Sequence, residues 1–153
     1  ITTAADLSTA ANFIAATTTG GANTSMLSID LTADDGNGAA NGANLAVAIE
    51  ADATGAGQAA GSTYTVKNGI LTIGGAGAAA VDTLAEWLVE AAAVSATAGE
   101  TVAFVYAGDT YVFSQNGAYD AMVQLVGVSA SSLVLASNAT TATAGAVIIG
   151  DSL

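Results

Sequence analysis

The sequence lacks most of the side chains that enzymes use for covalent or acid–base chemistry. It has no cysteine, no histidine and no proline, and its single basic residue is Lys67. Without histidine and cysteine, the Ser–His–Asp and Cys–His catalytic arrangements are impossible. Lys67 stands beside Asn68–Gly69 in a predicted hairpin, where we expect it to be solvated rather than to activate a serine. Paired carboxylates fall mostly in predicted loops, so we predict that the protein is not an enzyme.

The charge balance excludes further classes of protein. The chain has 13 acidic residues and one basic residue, and its net charge is -12. Binding to nucleic acid or to anionic lipid needs lysine or arginine, so neither partner is expected. Divalent cations are the natural counter-charge. The scarcity of lysine and arginine leaves few sites for trypsin-like proteases, which together with the absence of cysteine favours an extracellular or cell-surface location.

No targeting or membrane element is visible in the sequence. No charged region followed by an apolar stretch opens the chain, so no secretory signal peptide is predicted. The longest apolar runs are rich in alanine and much shorter than the roughly 18 residues of a transmembrane helix. We therefore expect no membrane insertion.

The sequence is rich in small and β-forming residues instead. Hydrophobic residues make up 52% of the chain but aromatic residues only 5%, which predicts a core of thin, closely packed layers. The 153 residues suit a single domain, with an N-terminal helical or interface segment at 1–20 and a β-rich body at 21–153. The predicted fold class is mainly β, an antiparallel β-sandwich-like domain with one or two short helices.

Two segments have the periodicity of amphipathic helices. In residues 3–16, Leu7, Ala11 and Ile14 recur at helical spacing. In residues 78–94, apolar residues form a stripe beginning at Val81, with Trp87 beside it. The second pattern is the longer and clearer of the two.

Alternation of apolar and polar residues predicts strands in most of the remaining chain. Asn68–Gly69 divides residues 63–73 into a hairpin. Turns at Gly108–Asp109 and Asn116–Gly117 divide residues 101–128 into a three-stranded meander, where Asp109 is expected to support its own turn. The other predicted strands are 24–34, 44–52, 131–137 and 146–150, and small-residue loops are predicted at 34–44 and 53–62.

Residues 30–38, DLTADDGNG, hold a group of oxygen donors on and beside a glycine-rich loop. Carboxylate and amide oxygens suit calcium, and glycine lets a loop curve around the ion. The segment lacks the glutamate and the flanking helices of an EF-hand, and a solvated polar turn is the alternative interpretation. The predicted calcium ligands are Asp30, Asp34, Asp35 and Asn37.

A second glycine-rich segment, GGAGAAAVD at 74–82, resembles the calcium-binding nonapeptide of repeats-in-toxin proteins. It occurs once, whereas a calcium-loaded roll needs several stacked copies. Ala79 also stands where that pattern has its metal-binding aspartate. We therefore predict a connector between a strand and a helix here and assign no calcium to it.

The second half of the chain has a characteristic order of motifs: a helix, AGE, a strand, GDTYVF, a short turn, and D-x-x-V-x-L-x-G-V followed by a leucine. The residues concerned are Gly99, Glu100, Phe104, Tyr106, Gly108, Asp109, Thr110, Tyr111, Val112, Asp120, Val123, Leu125, Gly127, Val128 and Leu133. With these residues, about 78–150 of the chain resembles the C-terminal bluetail-type module of secreted repeats-in-toxin and surface-layer proteins of Gram-negative bacteria. The resemblance implies export by a type I secretion system with an uncleaved C-terminal signal, followed by assembly outside the cell.

These observations predict a structural subunit that self-assembles into an extracellular filament or surface layer. Its partners would be copies of itself, and the contact between copies is expected in the two terminal segments. The alternatives are a monomeric secreted domain for adhesion or for binding a cell-surface glycan, and a structural protein of a phage or virus. The predicted interface residues are Leu7, Phe13, Ile14, Val147, Ile148 and Ile149.

Overall fold

A computed structural model describes residues 7–10, 26–29, 48–115, 120–135 and 145–151 of the chain. Within them lie eleven strands, one α-helix and a 3-10 turn at Ala78–Ala80. The helix is α1 (Leu84–Val94). The strands are β1 (Leu7–Ala10), β2 (Met26–Ile29), β3 (Ala48–Ile49), β4 (Ala53–Ala56), β5 (Ser62–Lys67), β6 (Ile70–Gly75), β7 (Glu100–Tyr106), β8 (Asp109–Ser114), β9 (Ala121–Leu125), β10 (Ala130–Leu135) and β11 (Gly145–Asp151).

The strands form two sheets. The larger has the order β1-β9-β8-β7-β6-β5-β4, and the two-residue β3 also pairs with β7. The smaller has the order β10-β11-β2. Most neighbours are antiparallel, while β1 with β9, β3 with β7 and β6 with β7 are parallel. The predicted fold class, mainly β with antiparallel sheets and a short helix, is confirmed.

The hairpin predicted at Asn68–Gly69 is confirmed. Asn68 and Gly69 both have positive φ, 51° and 72°, as a two-residue type I′ turn requires. The turn is also tied to other strands, because the Leu133 amide donates to the Asn68 carbonyl over 2.8 Å and the Ala103 amide donates to the Gly69 carbonyl over 2.9 Å. A local turn signal therefore fixes where the two sheets meet.

The meander of three strands is confirmed as β7, β8 and β9, with one turn displaced. The turn between β7 and β8 is Ala107–Gly108, at φ 53° and 89°, and Asp109 is the first residue of β8. Tyr106 pairs directly with Asp109, so the register leaves only two residues for the loop. The predicted Gly108–Asp109 turn is therefore wrong by one residue, and the predicted Asn116–Gly117 turn lies outside the described residues.

The predicted helix at 78–94 is confirmed only from Leu84 onward. Thr83 caps its start with a capping box, in which the Thr83 hydroxyl accepts from the Glu86 amide over 3.3 Å and Glu86 Oε2 accepts from the Thr83 amide over 2.9 Å. These bonds prevent the helix from extending back through Asp82. Residues 76–83 connect β6 to α1, so the connector predicted for the glycine-rich segment at 74–82 is present, although Gly74 and Gly75 still belong to β6.

Two local predictions are wrong. The helix predicted at 3–16 is a strand at Leu7–Ala10, which pairs in parallel with Met122–Leu125. The loop predicted at 53–62 begins with a strand, Ala53–Ala56, paired with Thr63–Val66. In both cases pairing to a distant or following strand overrides the local signal, since strand formation depends strongly on tertiary context.

The other predicted strands are present with shifted bounds. The described parts of 24–34 and 44–52 contain β2 and β3, and the predicted strands at 131–137 and 146–150 correspond to β10 and β11. Strands β7 and β8 are buried on both faces, so they separate two layers of core.

The core consists of one layer on each side of the larger sheet. The layer beneath α1, called here the helix-side layer, contains most of the large rings. The layer that includes residues of the smaller sheet, called here the sheet-side layer, is aliphatic. The buried helix-side residues are Val66, Leu71, Ala91, Val102, Phe104, Tyr111, Phe113 and Met122; the buried sheet-side residues are Ile70, Ala103, Val112, Leu125, Val128, Ala130, Leu133, Val147 and Ile149.

Candidate functional site

The predicted calcium ligands Asp30, Asp34, Asp35 and Asn37 lie outside the described residues. Within the described parts of the chain, no group of three or more acidic residues is placed to hold a metal ion. Calcium therefore stays a prediction for the loop at 30–38.

Two of the three predicted interface residues near the C-terminus lie in the core. Val147 and Ile149 are fully buried, at 0% exposure, in the sheet-side layer of their own chain. Their side chains pack within the chain because β11 is the central strand of the smaller sheet, and the interface expected in this terminal segment stays a prediction. The backbone of Ile148 belongs to the same strand.

The predicted N-terminal interface residues are only partly described. Leu7 begins β1, the last strand of the larger sheet at one end. Phe13 and Ile14 lie outside the described residues. Strand β1 is thus at a sheet edge, where the prediction of an interface stays open to test.

Carboxylates in this structure bind backbone amides. In a chain with one basic residue, ion pairs cannot satisfy 13 acidic groups, and backbone N–H groups are the other strong donors. Each such bond anchors a turn, a bend or a helix start. The five carboxylates and their donors are Asp52 with Asn68 (2.7 Å), Glu86 with Thr83 (2.9 Å), Glu90 with Gln58 (2.8 Å), Glu100 with Thr97 (2.6 Å) and Asp109 with Gly127 (2.7 Å).

Asp109 supports a turn, although not the one that the sequence suggested. Its Oδ1 accepts from the Gly127 amide, and its Oδ2 accepts from the Gln124 side chain over 2.6 Å. The Gly127 amide, followed by the Gln124 amide group, lowers the pKa of the Asp109 carboxyl group. Asp109 therefore joins the start of β8 to the turn after β9, which is a structural role.

Glu90 is a buried carboxylate that the sequence reasoning did not single out. It is 1% exposed, and its Oε1 accepts from the amides of Gln58 and Ala59, at 2.8 and 3.1 Å. These donors belong to the bend between β4 and β5, so Glu90 fixes that bend to α1. The sequence signal was weak, because a glutamate among alanines in a helix is normally exposed.

An open groove of about 540 Å³ lies between β3, the Asn68–Gly69 turn and β10. Glu50 and Asp52 contribute carboxylates to it, while Ile49 and Leu135 contribute apolar surface. Burial, and then the nearby Glu100 carboxyl group, raise the pKa of Glu50. None of the described residues that line the groove is aromatic, so it offers no ring on which a sugar could stack.

Strand β4 is the last strand at one end of the larger sheet. Among the described residues it pairs only with β5, so its other side is a free edge of the larger sheet. Natural proteins usually protect such an edge with lysine, proline or a bulge. The sequence of β4, Ala-Thr-Gly-Ala, has no such residue, and its register with β5 is regular.

Two further polar features of the described residues bear on the candidate site. Lys67 is exposed at the end of β5, and the buried hydroxyl groups of Thr101 and Ser114 bond to each other over 2.7 Å. In the described part of the chain, no helix is long and apolar enough to cross a membrane.

Comparison of the chain with protein-family models, with curated proteins and with solved structures found no match. The resemblance of residues 78–150 to the bluetail-type module therefore stays a prediction that rests on the motif residues quoted above.

Proposed function

We propose that this protein is a structural subunit that self-assembles into an extracellular filament or surface layer, exported by a type I secretion system. The observation that carries the proposal is the uncharged edge of the larger sheet at Ala53–Ala56, which pairs only with β5 among the described residues. An open edge of this kind recruits strands from other chains through main-chain hydrogen bonds, which need no special side chain.

The use of the acidic groups supports the same proposal. Asp52, Glu86, Glu90, Glu100 and Asp109 are engaged with backbone amides of their own chain. A general acid or base needs a free, positioned group near a bound substrate, whereas these groups stabilise turns and a helix start. The protein is accordingly proposed to be non-enzymatic and to have copies of itself as its main partner.

Calcium is proposed as a counter-ion that lets acidic copies approach one another. A net charge of -12 produces mutual repulsion, which divalent cations reduce. The proposed ligands are those of the loop at 30–38. If calcium serves this role, removal with a chelator lowers the melting temperature or disperses assemblies; an unchanged melting curve with intact assemblies contradicts it.

The test of self-assembly is microscopy of the purified full chain. Negative-stain images over a range of protein concentrations, with and without calcium, are expected to show ordered fibres or sheets. Small isolated particles under every condition would contradict assembly and favour the alternative, a monomeric domain that binds a surface ligand. The absence of aromatic residues among the described lining of the groove makes a glycan-binding site there the weaker proposal.

A further inference from the structure

The free side of β4 presents backbone groups at two positions. The Gly57 amide donates to the Ser62 carbonyl over 3.0 Å, which makes Gly57 and Ser62 a hydrogen-bonded pair of the β4–β5 ladder. In an antiparallel ladder such pairs alternate, so Ala53 and Gly55 also bond to β5. The N–H and C=O groups of Thr54 and Ala56 therefore point away from β5, and both residues are exposed.

We propose that β4 pairs antiparallel with β4 of a second copy about a two-fold axis. In the register that places the outward residues opposite each other, Thr54 faces Ala56 of the second copy and Gly55 faces Gly55. Each Thr54–Ala56 pair across the axis then exchanges two N–H···O bonds, and the two pairs give four hydrogen bonds in all. The two sheets become one continuous sheet across the dimer.

Charge favours a second copy of this chain as the occupant. Residues 53–66 hold no charged side chain, although the whole chain has a net charge of -12. The proposed register sets Asp52 across from Gln58, at the point where the chain leaves the strand, and so places no carboxylate opposite another. Antiparallel pairing therefore brings two acidic copies together at a neutral strand. At each end of that strand, the Asp52 carboxylate of one copy faces the Gln58 side-chain amide of the other.

The packing around Gly55 also allows the two β4 strands to approach each other closely at the centre of the pair. A Cβ atom at Gly55 would lie 2.7 Å from Cε1 of Tyr64, so a larger residue at this position requires the Tyr64 ring to shift. Tyr64 thus covers β4 on the helix side, while Thr54 and Ala56 lie on the opposite, exposed face. A four-residue edge makes a weak contact, which a polymer strengthens by using many contacts at once.

The inference rests on the proposed function, because the dimer would be one repeating contact of the assembly. Its test is separate, since it measures dimerisation at a named strand and not the growth of fibres. Amide NMR spectra of the full-length protein, recorded from about 20 µM to about 1 mM, bracket the range expected for a weak contact. The Thr54 and Ala56 amides are expected to shift and become protected with concentration, while those of Ala53 and Gly55 change little.

Substitution of Gln58 tests the register. Gln58→Lys places a cation opposite Asp52 twice in the dimer, and Gln58→Glu places an anion there. Cross-strand charge pairs of this kind change the dissociation constant by about two- to thirty-fold, tighter for lysine and weaker for glutamate. Ala85→Lys and Ala85→Glu on exposed α1 are the matched controls, because they change the net charge equally but lie away from β4.

Substitution of Thr54 tests the backbone bonds. Thr54→Pro removes an outward N–H group that β5 does not use, so the fold is expected to survive while the dimer is lost. Sedimentation and a thermal melt measure the two properties separately. If Thr54→Pro melts at too low a temperature, the Gln58 series and the amide shifts decide the question without it.

The results that would overturn the inference are specific. The first is a dissociation constant that changes no more in the Gln58 variants than in the Ala85 controls. The second is a set of concentration-dependent NMR shifts confined to amides other than those of Thr54 and Ala56. The third is the absence of self-association up to about 1 mM. In each case β4 is free or serves a different partner. If Thr54→Pro still forms fibres, the β4 contact is overturned but the proposal of self-assembly is retained. If the protein forms the β4 dimer but no fibres, the β4 contact is retained and the proposal of self-assembly is overturned.

Discussion

The two faces of the central strands β7 and β8 are buried by different kinds of residue. Phe104 and Tyr111 point to the helix-side layer, while Ala103 and Val112 point to the sheet-side layer. Phe104 stacks between Trp87 and Tyr111, with ring centroids 5.3 and 5.4 Å apart. The large rings fill the space under a single helix, whereas small aliphatic residues allow another sheet to approach closely.

The difference shows how a chain with few aromatic residues makes use of them. Of the aromatic side chains in the described residues, six belong to the helix-side cluster and none to the sheet-side cluster. A helix of eleven residues covers little area, so large rings compensate by burying more surface per residue. The sheet-side layer instead gains its stability from many small contacts at high packing density.

The largest expected effect is on the ring stack. Phe104→Ala removes a fully buried ring together with its stacking contacts to two other rings, so the free energy of unfolding should fall by about 3–5 kcal/mol. Val112→Ala, on the opposite face of the neighbouring strand, should cost only about 1.5 kcal/mol because it removes two carbon atoms. Chemical denaturation measures both, and equal losses would contradict the division of the core into unlike layers.

A smaller effect is expected at the turn where the sheets meet. Gly69→Ala forces a side chain into positive φ and sets its Cβ 2.7 Å from Ile49 Cγ2 and 2.9 Å from the Leu133 carbonyl oxygen. We expect a loss of about 2–4 kcal/mol from backbone strain and crowding together.

Gly108→Ala is the matched control, since φ is +89° there and nothing lies within 4 Å of the new Cβ. This variant should lose only the stability that backbone strain at positive φ costs, about 1–2 kcal/mol. The difference between the two melting temperatures reports the packing of the sheet-side layer against the turn. If both variants lose the same stability, the close approach at Gly69 does not constrain the fold.

The smallest effect is expected at Glu50, beside the sheet-side layer. Burial and Glu100 raise its pKa above the ordinary value of 4.5, so the protonated form is favoured in the folded state. Its contribution to stability is present below pH 4.5 and is lost as the pH rises through the folded pKa. Glu50→Gln should therefore raise the melting temperature at pH 7, and this gain should disappear in acid.

Glu86→Gln is the control of opposite sign. The bonds from Thr83 lower the pKa of Glu86, so its charged form stabilises the helix start above pH 4.5. Removing that charge should lower the melting temperature at pH 7. Melting curves for both variants across pH 3–8 test the pair, and a loss for Glu50→Gln at pH 7 would contradict the assigned direction.

Some features could be read from the sequence because their causes are local. Asn68–Gly69 requires positive φ at both positions, so the hairpin follows from neighbouring residues. The capping box of Thr83 and Glu86 is equally local, although the predicted helix began at residue 78 and missed this start. Strand β4 and the strand at Leu7–Ala10 were missed, because alanine favours helices and glycine is depleted in strands, while pairing with other strands decides the conformation of both segments.

The candidate site was less predictable than the fold. Asp109 and Glu90 accept from amides 18 and 32 residues away, distances along the chain that no motif spans. The burial of Val147 and Ile149 likewise depends on β11 being the central strand of its sheet, although an apolar terminal segment reads equally well as an interface. Sequence patterns report which residues are apolar or acidic, but not which surfaces the topology leaves free.

The sequence by itself determined that the chain has no histidine and no cysteine, and that its carboxylates must find donors other than basic side chains. It also determined the mainly β fold, through alternation and turn residues whose effects extend over a few positions. Only the tertiary structure decided which backbone amides the carboxylates bind, which face receives the aromatic rings, and that β4 ends the larger sheet with Thr54 and Ala56 pointing outward. These features depend on contacts between distant segments, which form only when the whole chain packs.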